Sequence, residues 1–350
     1  MKVDPVNTEY TKDVALVCTA YNCKEELRSS LDTIISDENL SLLKEIVIVD
    51  GGSEDGTWEL LQEWASKISH MKVYRIPGAN ISRGRNEAIK RTTSEIIVTF
   101  DTGTKYCDEW LKHMLSPFWK DPEMHVVDGV TVGTGETLFQ KALCAFYKEY
   151  FVPESSPKIS DGPVVKGGAS HRCIAYRRVV WEKIGGYPEN VQAGEDTWFN
   201  TRIRDLGMKV TASPDAKCYW MVREGFKALW KVTYRNARGH LGLRGNRNTV
   251  KVYGKMVLNL LVMTGAVLGF WIPLAWWFCG VLYLIYVVYC LLRKTRRAFF
   301  INPVHLLYGV AIILCTDWVT VFACFSRLLN FMFPGRDAED AKPRRGDTRA

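Results

Sequence analysis

Residues 45–57 read "EIVIVDGGSEDGT". Four apolar β-branched residues in a row, 46–49, show no alternation, which describes a strand covered on both faces, as in parallel sheets. The run stops at Asp50 and a glycine-rich turn, and residues 58–68 then have helical spacing. The same alternation extends in both directions. Upstream, "DVALVCTAYN" (13–22) is a buried strand, and residues 25–35 form a helix with Leu27, Leu31 and Ile34 on one face. Downstream follow a strand at 72–76, a helix at 82–92 ("SRGRNEAIKRT") and a strand at 95–101 ("EIIVTFD"). Strand and helix repeating at this interval predict an α/β fold, a mixed but mostly parallel sheet with helices on both faces.

In open α/β sheets, ligands bind beyond the carboxyl ends of the strands. The first strand here ends in Thr19, Tyr21 and Asn22, the second in Asp50 and the fourth in Asp101. A single Asp after a strand commonly bonds its own turn. Several polar residues at one edge point instead to a site. It is not a dinucleotide fingerprint, because "CTAYNCKEEL" contains no glycine, and no Gly-Lys-Ser/Thr of a P-loop occurs. Further on, "GEDTWFNTRIRDLG" (194–207) sets Glu195 and Asp196 at the start of a helix whose Trp198, Phe199, Ile203 and Leu206 supply an apolar face. Two readings stand for these carboxylates: capping of exposed N–H groups at the helix start, or chemistry.

The 350 residues divide unevenly. Residues 12–250 mix charged and apolar types as soluble domains do, whereas residues 256–292 contain no Asp, Glu, Lys, Arg or His. A helix needs roughly 20 apolar residues to cross a bilayer, so this run is too long for one crossing and predicts a hairpin broken near Gly269 and Pro273. "RKTRR" (293–297) belongs on the cytosolic side by its charge, and with it the large N-terminal region. A further apolar segment, 299–326, carries Asp317, which marks either a functional intramembrane acid or an interfacial turn. The expected plan is therefore a cytosolic domain at 1–216, basic aromatic interfacial helices at 217–253, three or four transmembrane helices at 254–333 and a disordered tail at 334–350. No apolar stretch of a signal peptide precedes the first strand. The ten cysteines show no Cys-x-x-Cys spacing, which gives no zinc site and no disulfide framework. The net charge of +8 concentrates between Lys217 and Lys255, among aromatic residues. That pattern also suits nucleic acid, but its place before the apolar run favours anionic membrane lipids over a nucleic-acid partner.

Taken in order, "TAYN", "VDGGSEDGT", "SRGRNEAI", "TFDTGT" and "GEDTWFNTRIRDLG" resemble glycosyltransferase family 2, inverting nucleotide-sugar enzymes with a GT-A fold. The resemblance covers roughly residues 14–210. It implies that Thr19, Tyr21, Asn22 and Asp50 line the nucleotide pocket, with Asp50 accepting from the base edge. It places Arg85 and Asn86 between nucleotide and sugar, gives Asp101 one Mg²⁺ or Mn²⁺ ion, and makes Asp196 the general base beside Glu195. The order of a transferase domain, a basic interfacial segment and a few membrane helices is similar to a reduced cellulose-synthase plan and to archaeal mannosyltransferases that act on lipid-linked glycans. The implied activity is transfer of one sugar, mannose from GDP-mannose, to a dolichol-type or other polyprenyl-linked acceptor.

This sequence departs from the family pattern at two acids: Gly51 and Gly103 stand where second aspartates belong. The first leaves Asp50 alone at the base, and the second weakens any metal site. On the acceptor or diphosphate side the weaker candidates are Glu195, Gly168, His171, Arg235, Arg238 and His240. A lone histidine in a strand such as His171 is more often structural, and the three in "YRNARGH" (234–240) read equally as a lipid-facing basic surface. The Gln-x-x-Arg-Trp signature of processive synthases is absent from that segment. A processive polysaccharide synthase and a non-catalytic membrane scaffold remain the competing functions.

Overall fold

The computed structural model describes residues 13–146, 170–243, 247–295 and 303–332. Its first half is the alternation expected from the apolar runs: β1 (Val14–Ala20), α1 (Lys24–Ile34), α2 (Asp37–Leu42), β2 (Glu45–Asp50), α3 (Thr57–Lys67), β3 (Met71–Arg75), α4 (Ile81–Lys90) and β4 (Ile96–Thr99). There follow β5 (Thr104–Tyr106), α5 (Trp110–Lys120), β6 (Val126–Thr134), α6 (Leu138–Phe146), β7 (Ile174–Arg177), α7 (Arg178–Ile184), α8 (Glu195–Asp205) and β8 (Val210–Met221). The eight strands make one sheet in the order β3-β2-β1-β4-β7-β6-β8-β5. β3, β2, β1 and β4 run parallel, and β7 lies antiparallel to both β4 and β6. This is the GT-A arrangement, and it sets the carboxyl ends of β1, β2 and β4 along one edge.

The period of two along each strand divides the core. Leu16, Cys18, Ile46 and Ile48 face α1, α3 and α5, whereas Ala15, Val17, Val47 and Val49 face α4 and α8. Both faces being covered, all six residues of β2 are buried. Truncating Leu16, Ile46 or Ile48 to Ala costs about 2–5 kcal/mol. The second face matters for function, because Phe199 and Ile203 dock α8 onto it and so fix where Glu195 and Asp196 stand.

The C-terminal part comprises α9 (Gly225–Gly242), α10 (Arg247–Leu268), α11 (Pro273–Thr295) and α12 (Pro303–Met332). Residues 217–221, expected in an interfacial helix, belong to β8, where Cys218, Tyr219 and Trp220 pair with β5 and β6. These residues lie between two neighbouring strands, and the helical segment begins only at Gly225. α10 and α11 are joined by the turn containing Gly269, where a Cβ would fall 1.6 Å from the Trp276 ring. Pro273–Leu291 and Leu306–Arg327 are long and apolar enough to cross a membrane; Val252–Gly265 is shorter. α12 runs unbroken through Asp317, so that residue marks no interfacial turn. Its carboxylate is fully buried and bonded by Lys255 Nζ at 2.7 Å, an ion pair joining α10 to α12. The expected tail at 334–350 lies outside the described residues.

Candidate active site

The loops after β1 and β2 latch together at the sheet edge. Asn22 takes a left-handed backbone (φ 45°), donates its N–H to Ser53 Oγ (2.9 Å) and accepts from the Glu54 N–H through Oδ1 (2.8 Å). Cys23 N–H donates to Thr57 Oγ1 and Lys24 N–H to Asp55 Oδ2. Asp50 closes its own turn. Its Oδ2 accepts from the N–H groups of Gly52 and Ser53, both at 3.0 Å, Oδ1 accepts from the Ser53 hydroxyl, and Arg75 Nε lies 3.5 Å away. The side chain has no solvent exposure. Asp50 thus has the local bonding that a post-strand Asp commonly shows, rather than a carboxylate presented to a base edge. Gly51 has a packing reason: a Cβ there would meet the Ala79 carbonyl at 2.8 Å and the Tyr21 ring at 3.2 Å. Thr19 turns toward α4, its hydroxyl 3.4 Å from the Ile81 carbonyl and its side chain filling the space beside Gly84.

Arg85 joins the ends of three elements. Asn80 caps α4 by accepting from the Arg83 N–H, and the first turn then delivers Arg85 into the interior, 1% exposed. Its Nη2 donates to Asp101 Oδ1 at 2.6 Å, just beyond β4, and its Nη1 to Glu195 Oε1 at 3.1 Å, at the start of α8. Both forks of the guanidinium are occupied by carboxylates, so Arg85 is a scaffold and not an open phosphate ligand. Asn86, the neighbour expected beside it at the donor, faces the other way. It accepts from Trp181 Nε1 and the Tyr187 N–H and donates to the Tyr187 carbonyl and Glu189, tying down the loop that leads to α8.

Charge at this cluster is unevenly distributed. Burial opposes ionisation of Asp101, yet Arg85 and Arg172 outweigh it and hold the carboxyl below its usual range. Burial and the adjacent Asp196 push Glu195 up to about 7 against the pull of Arg85, whose shorter bond goes to Asp101. Burial and Arg85 push His171 down to about 4, so its ring is neutral near pH 7. His171 Nδ1 and the Tyr187 hydroxyl are 2.8 Å apart, and the ring meets Phe199 edge-on. Asp196 is half-buried and accepts from the Thr197 N–H through Oδ1 at 2.6 Å. The helix N-cap is Gly194 (φ 87°), with no side-chain cap. Glu195 therefore reaches for Arg85 instead of capping, and Asp196 is the adjacent carboxylate on the more open side.

The structure thus brings together Arg85, Asp101, Glu195, Asp196 and His171. It also adds Arg172, which was not among the sequence candidates. The Thr99 hydroxyl donates to the His171 carbonyl at 2.6 Å, and the Tyr106 hydroxyl donates to the Arg172 carbonyl at 2.9 Å while accepting from the Asp101 N–H. Arg172 Nε consequently lies 4.0 Å from Asp101 Oδ2. Its sequence signal was only a basic residue entering a strand. Gly168 lies outside the described residues. On α9, His240 abuts the turn before Glu195: a Cβ on Gly194 would sit 3.0 Å from its Nδ1. Arg238 leans on Tyr234, whose hydroxyl is 3.0 Å from Ser326 of α12, and Arg235 lies on the exposed face.

The residues near Asp101 do not fit a divalent ion. Oδ1 is bonded to one guanidinium and Oδ2 faces another, Gly103 offers no carboxylate, and its nearest neighbours are methylene carbons of Glu26. Among the described residues no three His, Cys, Asp or Glu side chains converge as metal ligands. Two fixed positive charges repel a dication at this spot.

Residues 15–185 match the family described as Glycosyl transferase family 2. The chain is 23% identical over 261 residues to the poly-beta-1,6-N-acetyl-D-glucosamine synthase of Staphylococcus epidermidis, covering 73% of this chain and 61% of that protein. It is 22% identical over 232 residues to glycosyltransferase AglE of Haloferax volcanii, covering 65% of this chain and 73% of that one. The chain therefore spans about three fifths of the synthase's length. Among solved structures, a mannosyltransferase from Pyrobaculum calidifontis in complex with GDP-Man and Mn²⁺ aligns with a TM-score of 0.49 at 18% identity, over 94% of this chain and 77% of that one.

Proposed function

We propose that the family 2 glycosyl transferase domain at residues 15–185, completed by α8, moves a sugar from a nucleotide donor to a lipid-linked acceptor at a membrane face, with inversion at the sugar carbon. The observation that carries this reading is the Arg85 bridge, which holds Asp101 and Glu195 together and leaves Asp196 beside them on the open side. An acceptor hydroxyl is a poor nucleophile until its proton is withdrawn. Asp196 takes that proton as the acceptor oxygen attacks C1, the C1–O bond to the diphosphate breaks, and the nucleoside diphosphate leaves with the bonding pair. Glu195, buried and bound to Arg85, fixes the start of α8 so that Asp196 keeps its aim.

The acceptor side follows from α9 and the apolar helices. α9 lies against the turn before Glu195 through Gly239 and His240 and against α12 through Tyr234, so the base sits close to segments able to cross a membrane. This supports an acceptor held at the lipid surface, polyprenyl-phosphate glycans being the class considered, with the domain on the cytosolic side. GDP-mannose is the donor we favour, and it rests on the family outline alone. A processive synthase is the second reading, supported by the name of the staphylococcal relative.

The test uses the full chain in detergent or lipid nanodiscs. UDP- and GDP-sugars are screened for thermal stabilisation, because a ligand bound only to the folded state adds about 2.7 kcal/mol at a hundredfold excess over Kd. The stabilising donor is then offered with polyprenyl-phosphate acceptors and product length is measured. Asp196→Asn is expected to keep donor binding and lose at least a hundredfold in transfer, the scale of general-base catalysis. Retained transfer removes Asp196 as base; long polymers favour the synthase; no binding of any nucleotide favours a scaffold.

A further inference from the structure

We infer that Arg172 is the residue that meets the donor diphosphate, and that a guanidinium rather than a divalent ion offsets the charge of the leaving group. The inference rests on the donor reading above. It begins from the turn after β4. Gly103 leaves Asp101 as a single carboxylate, and that carboxylate is already shared between Arg85 and Arg172. Where a metal site would collect negative ligands, this edge collects positive ones.

The two arginines are not equivalent. Arg85 is 1% exposed and spends both forks on Asp101 and Glu195. The Arg172 side chain is 30% exposed. One of its edges is pinned, with Nη1 donating to Ser170 Oγ at 3.0 Å, and its plane is supported by Trp220, whose ring centroid is 4.4 Å from Cζ. Its Nη2 has no hydrogen-bond partner among the described residues. A guanidinium stacked on an indole and held at one edge keeps its remaining donors pre-aimed, and a phosphate oxygen pair matches their spacing. The anchors place that edge at the reaction centre: Tyr106 ties the Arg172 main chain to that of Asp101, and Thr99 ties the preceding carbonyl to β4. The turn at 170–173, closed by the Cys173 N–H on the Ser170 carbonyl at 2.9 Å, sets His171 inward against Tyr187 and Phe199 and Arg172 over Trp220.

In the transfer step the C1–O bond breaks, its electron pair stays on the β-phosphate oxygen and the acceptor proton passes to Asp196. Arg172 donates to that phosphate as its charge rises. No metal is required for the balance.

The test is calorimetric binding of GDP and UDP to the full chain, in EDTA and in Mn²⁺, for the wild type, Arg172→Ala and Arg172→Lys. The wild type is expected to bind one of the two nucleotides with Kd equal within about threefold in both buffers. Arg172→Ala is expected to weaken binding roughly tenfold to a hundredfold, the usual worth of a charge-assisted hydrogen bond, with Arg172→Lys falling between. The lysine variant also guards against misfolding, since it keeps the charge and stem, and the melting temperature of both variants is recorded. Binding that disappears in EDTA and returns with Mn²⁺ overturns the inference and leaves the donor reading standing. Unchanged affinity in Arg172→Ala overturns it equally. Failure of both nucleotides to bind in either buffer defeats the donor reading and this inference together.

Discussion

Gly239→Ala offers a test of how the site is held against α9. In a helix interior this substitution normally stabilises, by about 1 kcal/mol. Here the added Cβ would lie 2.0 Å from the Ala193 carbonyl oxygen, 2.7 Å from its carbonyl carbon and 3.2 Å from its Cα. These are backbone atoms and cannot rotate away. Ordinary contact needs roughly 3.5 Å, so α9 and the 193–194 turn must separate by about 1 Å or more. Ala193 precedes Gly194, whose left-handed backbone (φ 87°) starts α8 immediately before Glu195 and Asp196. A shift near 1 Å at reacting groups costs about a hundredfold in rate, equivalent to about 2.7 kcal/mol in the barrier. Nucleotide binding should change little, because the β1–β2 turns and Arg172 do not touch α9's Gly239 contact. The assay is steady-state transfer at saturating donor, with nucleotide affinity and thermal melting measured on the same samples. Gly254→Ala is the control, since nothing lies within 4 Å of a Cβ there. Wild-type turnover in Gly239→Ala, together with a raised melting temperature, would refute the proposed coupling.

Arg85→Met leaves the buried Glu195 and the partly buried Asp101 without their shared partner, and breaking a buried pair in this way costs about 3–5 kcal/mol. A sharply lower melting temperature is expected, and a melt unchanged within error would contradict the hub role. For Glu195 the sign runs from a folded value near 7, raised above its ordinary 4.5. Its contribution to stability is complete below about pH 4.5 and is lost as pH rises through 7. Melting temperature should therefore fall between pH 5 and pH 8, less so in Glu195→Gln; an identical slope in the variant would remove Glu195 as the cause. Lys255→Met strands the buried Asp317 carboxylate between α10 and α12 and should lower the melting temperature, whereas Lys255→Met with Asp317→Leu should recover most of it, as apolar replacement of a whole buried pair does. A double variant no better than the single one would count against the pair.

The fold was legible because its signals are local and repeated. Unbroken apolar runs at β1, β2 and β4 mean strands covered on two faces, and the intervening helices α1, α3 and α4 each carry their own apolar face. α2 was missed: with six residues it shows little periodicity, and it is fixed by Ser36 capping the Asn39 N–H and by Asn39 bonding the Ile34 carbonyl. The sheet beyond β4 was not legible either. β7 pairs antiparallel with β4 from 75 or more residues away, and such pairing leaves no trace in spacing. β8 was misread at its end, since Lys217 and Trp220 look alike in a strand and on a basic aromatic helix.

The site was legible as a list of positions but not as a division of labour. Residue type identifies Asp50, Asp101 and Asp196 as three equivalent carboxylates at one edge. Their surroundings make them different. Asp50 spends its oxygens on its own turn, Asp101 on two guanidiniums, and Asp196 one oxygen, Oδ1, on the N–H and hydroxyl of its neighbour Thr197. The same holds for the cations, where Arg85 is buried between acids and Arg172 stands half-open on Trp220. What separates each pair is the set of donors and acceptors brought by distant segments: Ser53, Arg75, Tyr106, Trp220. A substitution that preserves charge at any one position, such as Arg85→Lys, should therefore fail to preserve its role, because a single ammonium cannot span Asp101 and Glu195 in the planar fork that now joins them.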